Sequence, residues 1–97
     1  MTKRNIAVID LRGCNYLGEV HKQIKTALAF PEHYGENWDA FWDCLSFDTS
    51  IDYILIYGES SLPESLKKHL DIMHKILLRC KEERAAYGHK FDYVIMD

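Results

Sequence analysis

Between Lys25 and Lys67 the chain has neither lysine nor arginine. The same stretch holds Glu32, Glu36, Asp39, Asp43, Asp48, Asp52, Glu59 and Glu64, while every lysine and arginine of the protein lies outside it. Phosphates would be repelled from this half, which argues against nucleic acid as the ligand and favours a cationic partner. A solvated acidic face that serves solubility fits the same pattern. Long apolar runs are also missing: the strongest, Ile54–Tyr57, is too short to cross a bilayer. The first fifteen residues carry Lys3, Arg4, Asp10 and Arg12 and no long apolar run, so no secretory signal is read. Cysteine is scarce and odd in number, with Cys14, Cys44 and Cys80 far apart and no CxxC pair. That is the pattern of free buried thiols in a reducing compartment, and it predicts a cytoplasmic protein. No linker, repeat or low-complexity tract interrupts the chain. Its 97 residues, 47% hydrophobic and 12% aromatic, are expected to build one domain, residues 1–97, around one modest core.

Three short apolar segments read as strands. Ile6–Leu11 is rich in β-branched residues and predicts a buried strand. Tyr53–Tyr57 is apolar without alternation, as in a strand covered on both faces or central in a parallel sheet. Asp92–Met96 is the third, with Gly88 supplying the turn before it. Between them lie helical patterns. Leu17, Val20, Ile24 and Leu28 share one face of a first helix, with Asn15 as its expected cap and Pro31 ending it. After Gly35, Asn37 offers a cap for a second helix near residues 38–45. Pro63 opens a third helical region reaching about Ala86, with Leu66, Leu70, Met73, Leu77 and Cys80 as its stripe. Asp71 could cap a new helix inside it, so one helix and two are both permitted. Strands alternating with helices imply an α/β fold with a parallel sheet joined by right-handed crossovers.

The second helix carries the most unusual pattern. On a helical projection Asp39 and Asp43 fall within about 40° of each other, with Trp42 and Ser46 at their edge. Ala40, Phe41, Cys44 and Leu45 take the opposite side and predict its buried face. Like charges at i,i+4 oppose helix formation by about 0.2–0.5 kcal/mol. The usual remedy, a lysine or arginine one turn away, is absent. A partner supplying the counter-charge would account for that, and a tryptophan beside the patch suits an interface anchor. Two aspartates left to solvent and two tryptophans completing the core is the alternative.

Residues 30–45, FPEHYGENWDAFWDCL, closely resemble the corresponding stretch of the barstar family, intracellular inhibitors of extracellular ribonucleases such as barnase. The matching elements are Pro31-Glu32, Tyr34-Gly35-Glu36-Asn37, Asp39-Ala40 and Trp42-Asp43-Cys44-Leu45. The resemblance implies a two-layer fold, a three-stranded parallel sheet packed with helices in the order β-α-α-β-α-α-β, with residues 62–86 split into two helices. It implies that the second helix and the loop before it plug a ribonuclease active site. The carboxylate of Asp43 would stand where an RNA phosphate sits, with Asp39 beside it and His33, Asn37, Trp38, Trp42 and Ser46 bordering the contact. The chain departs from the family at His33, where a tyrosine is usual, and at Phe47-Asp48, where Gly-Trp is usual. A further acid on the last helix has only Glu82 and Glu83 as candidates.

These features predict a non-catalytic inhibitor that binds a basic extracellular-type ribonuclease or ribonuclease toxin domain as a 1:1 heterodimer. It would act as a bacterial immunity protein and need no cofactor, metal, nucleic acid or membrane. Two other classes fit the same residues. One is a regulatory module whose basic target is not a nuclease. The other is a small hydrolase using the Asp39/Asp43 pair as acid and base, for which no oxyanion site or phosphate-binding glycine loop is apparent. His69 and His74 lack zinc-site spacing.

Overall fold

The computed structural model describes residues 5–48 and 51–96. The elements run β1 (Ile6–Asp10), α1 (Leu17–Leu28), α2 (Trp38–Asp43), a π-helical turn (Cys44–Asp48), β2 (Tyr53–Tyr57), a 3-10 turn (Glu59–Ser61), α3 (Glu64–Ala86) and β3 (Asp92–Ile95). The sheet is parallel in the order β1-β2-β3, with Val8 opposite Leu55 and Leu55 opposite Val94.

Each crossover steps one strand in the same direction, and right-handed connections of that kind put their helices on one side of the sheet. The core follows from this. Ala7, Ile9, Ile54 and Ile56 are buried beneath Val20, Ile24 and Leu28 of α1 and Leu66, Leu70, Met73, Leu77 and Cys80 of α3. The other face is open: Ile6 is 53% and Val8 50% exposed. β1, expected to be buried, is therefore buried on one side only. β2 is apolar throughout because it is the central strand, although Tyr53, Leu55 and Tyr57 point to the half-open face.

The third helical region is one helix of 23 residues, so the split implied by the resemblance is absent and the order is β-α-α-β-α-β. No glycine or proline lies within Glu64–Ala86, and Asp71 sits exposed in the middle of an uninterrupted helix. Nothing there forces the backbone to break. Asn15 does not cap α1 either. Tyr16 holds that position without a side-chain bond, and the Glu19 carboxylate reaches back to accept from the Asn15 N–H at 2.9 Å. The bond is like the glutamate half of a capping box but falls one residue earlier, on the residue before the cap.

Gly58, after β2, has φ +88°, and a Cβ there would lie 2.5 Å from Arg12 Cγ and 2.7 Å from the Arg12 nitrogen. Only glycine meets both demands, conformation and clearance.

Candidate functional site

The segment from Ala29 to Asp48 carries the acidic helix, and several local devices fix its path. α1 ends with Ala29 in the left-handed conformation, φ 54°, its N–H bonded to the carbonyls of Lys25 and Thr26. Phe30 and Tyr34 are buried and pin the loop that follows. The Tyr34 hydroxyl lies 2.7 Å from Nδ1 of His21, which is only 1% exposed on α1. The imidazole also packs on Trp38, with ring centroids 4.4 Å apart. Burial pushes His21 below its ordinary pKa, while the charge of Glu36 pulls the other way. Sequence pattern left His21 unnoticed, because it lies beside the Val20-Ile24-Leu28 stripe and reads as polar.

Glu36 is left-handed as well, φ 52°, and it turns the chain into Asn37. The Asn37 side chain accepts from the Ala40 N–H at 2.8 Å and donates to the Gly35 carbonyl at 3.2 Å. The expected cap is therefore present. Phe41, Cys44 and Leu45 are buried, as the helical projection requires, and Ala40 is half-buried.

The residues expected to bind fall into two groups. His33, Asn37, Asp39 and Asp43 are exposed. Trp38 and Trp42 are half-buried against the core, and the Trp38 indole nitrogen is buried without a hydrogen-bond partner among the described residues. Ser46 is half-buried with its hydroxyl oxygen buried and unbonded among those residues. The cause is the π-helical turn: extra residues per turn rotate Ser46 away from the side that Asp39 and Asp43 share. The side chains of Phe47 and Asp48, where the chain departs from the family pattern, lie outside the described residues.

Charge pairing separates the acids of the lysine-free segment. Glu32 is bonded to Lys25, Glu59 to His74 and Glu64 to Lys67, and Asp52 accepts from the backbone of Asn5. Glu36, Asp39 and Asp43 have no ion pair or hydrogen bond among the described residues, and they follow one another along the loop and α2. The arginines that reach α2 from α3 are engaged elsewhere. Arg79 lies with its guanidinium carbon 4.8 Å from the Trp42 ring centre and donates to Glu83 at 3.3 Å. Arg84 donates to the carbonyls of Leu45 and Ile51. Glu82 is exposed.

The remaining chemistry is inward. Cys14, Cys44 and Cys80 are buried and unbridged, and burial raises the thiol pKa of Cys14 and Cys80, which makes poor nucleophiles. No group of three or more metal-ligating side chains is found among the described residues, and no helix among them is long and apolar enough to cross a membrane.

Residues 4–96 match the family model described as Barstar (barnase inhibitor). The chain is also 29% identical over 77 residues to a protein of Bacillus subtilis (strain 168) named "Putative ribonuclease inhibitor YrdF", an alignment covering 78% of this chain and 85% of that one. A match that spans nearly the whole length places this chain, with its capped acidic helix and three-stranded parallel sheet, in the barstar family.

Proposed function

We propose that this protein inhibits a ribonuclease by inserting the exposed side of α2 and the loop before it into the enzyme's phosphate-binding site. The observation that carries the proposal is the unpaired run Glu36, Asp39 and Asp43, in a segment where Glu32, Asp52, Glu59 and Glu64 all have partners within the chain. A ribonuclease must hold phosphate with cationic groups, and carboxylates spaced along a rigid helix can take those groups in place of RNA. Family membership and the name of the Bacillus relative support the same reading.

Asp43 is the phosphate mimic and Asp39 its neighbour. Asn37 fixes the start of the helix, and Trp38, Trp42, His33 and Ser46 border the contact. The complex is 1:1 with a basic ribonuclease of the extracellular type. The inhibitor acts in the cytoplasm of the cell that makes the enzyme, as an immunity protein, and catalyses nothing itself.

The test is RNA cleavage by barnase with and without the purified chain. Inhibition should be strong at low salt. Asp43→Ala should weaken binding by about 2–5 kcal/mol, roughly 30- to 5,000-fold, since it strands a desolvated cation on the enzyme. Full inhibition by Asp43→Ala would refute the mechanism. Binding to basic non-nucleases as tight as to barnase would favour the regulatory-module reading instead.

A further inference from the structure

Arg84 sits half-buried in the last turn of α3, and no carboxylate pairs with it among the described residues. One guanidinium nitrogen donates to the Leu45 carbonyl at 2.7 Å and another to the Ile51 carbonyl at 3.0 Å. The guanidinium carbon stands 4.7 Å from the centre of the Phe91 ring. Leu45 lies in the π-helical turn that ends the acidic helix, and Ile51 lies just before β2. A single planar group thus grips the chain on both sides of the return from α2 to the sheet.

This grip matters because α2 cannot hold itself. Six α-helical residues and one π turn are far below the dozen or more that an isolated helix needs. Its N-terminus is fixed by Asn37 and its inner side by Phe41, Cys44 and Leu45. The last turn of any helix leaves carbonyls without partners, and a cation is favourable there. α2 and its π turn have no basic residue of their own in that position. Arg84 supplies it from another element, and the rigid fork of its donors fixes the spacing of the two carbonyls in a way that a lysine ammonium does not.

Resting on the reading of α2 as the recognition helix, we propose that Arg84 is a positioning residue for partner binding. It sets, from behind, the pose in which Trp42 and Asp43 meet the ribonuclease. Trp42 and Asp43 stand only a few residues before the carbonyl it holds, so any slackening of that turn reaches them directly.

Arg84→Lys keeps the charge and loses the fork, whereas Arg84→Gln loses both. Two measurements are made on each. The first is amide hydrogen exchange in the free protein, where both variants should accelerate exchange across Cys44–Asp48 by about tenfold or more while Val20–Leu28 and Ile54–Ile56 keep wild-type rates. The second is binding kinetics on immobilised barnase, where both should dissociate about tenfold faster or more, and Arg84→Lys should keep the wild-type association rate and salt dependence. Unchanged exchange at Cys44–Asp48 would overturn the proposal. So would exchange that rises equally in α1 and β2, which marks a general loss of stability, or local loosening with unchanged dissociation. Wild-type protein that fails to bind barnase counts against the inhibitor reading, and the exchange measurement still decides whether Arg84 anchors the turn.

Discussion

The guanidinium of Arg79 stands over the indole of Trp42 at 4.8 Å, which sets a positive charge beside the acidic helix without neutralising either of its aspartates. Arg79 is two-thirds exposed at its side chain and shares its charge with Glu83. Against a basic enzyme this cation opposes approach. Arg79→Ala should raise the association rate with barnase a few-fold at low ionic strength, and the gain should vanish near 1 M salt, where screening acts over about 3 Å. Stopped-flow rates across a salt series check this. The same variant should lose about 0.5–1 kcal/mol of stability, the worth of an exposed cation–π contact.

The unpaired carboxylates carry a stability cost of their own. Asp43→Ala removes an i,i+4 repulsion and introduces a better helix former, so the free protein should gain a few tenths of a kcal/mol, up to about 1. Urea denaturation beside inhibition assays should show the two properties moving in opposite directions, the trade expected where a residue is kept for binding. A loss of stability would mean that Asp43 has an intramolecular role.

His21 makes the fold sensitive to acid. Its pKa is lowered by burial from the ordinary 6.5, so below that pH the unfolded chain takes up a proton that the folded one resists. Stability is full above about pH 6.5 and falls as pH drops toward the lowered value. His21→Gln should flatten that slope in denaturation series between neutrality and mild acid. It should also loosen the loop, because Tyr34 loses its partner and Trp38 its neighbour.

His74 acts in the other direction. Its Nε2 lies 2.8 Å from the Glu59 carboxylate, and that hydrogen bond raises its pKa above 6.5 against the effect of burial. The folded state therefore holds the proton more tightly, and the stabilisation is complete below pH 6.5 and lost as pH rises through the raised value. His74→Gln should remove an alkaline-side decline, read from melting temperatures between neutrality and mild alkali. A double-mutant cycle with Glu59→Gln should give a coupling near 1 kcal/mol or less, since the imidazole is partly exposed.

Gly58→Ala should cost more than any of these. It forces a methyl group to within 2.5 Å of Arg12 Cγ at a positive φ, and the backbone of β1's exit must shift to admit it. A loss above about 2 kcal/mol is expected, measured by denaturant midpoint at constant m-value.

Much of this was legible in the sequence, for local reasons. Asn37, Phe41 and Leu45 declare a capped helix with one apolar side, and Val20, Ile24 and Leu28 declare another. What the pattern concealed is long-range or depends on helix phase. Nothing in Ile6 or Val8 says that their side of the sheet stays open, because that follows from both crossovers covering the same face. Asp71 looks like a cap until the helix simply continues through it. Ser46 turns inward because the helix widens at Cys44, and that change has no residue signature. His21 and Arg84 meet their partners 13 and 39 residues away in sequence, so their roles exist only once the chain is folded.

That last property extends to the whole acidic face, since α2 lies in the crossover between β1 and β2. Trp38 rests on His21 of the preceding helix, but the far end of α2 is held by Arg84, which arrives only with α3. Joining such distant neighbours is slow relative to local helix formation. A chain in which α3 has not yet docked therefore lacks the two Arg84 bonds that tie the end of α2 to the entry of β2.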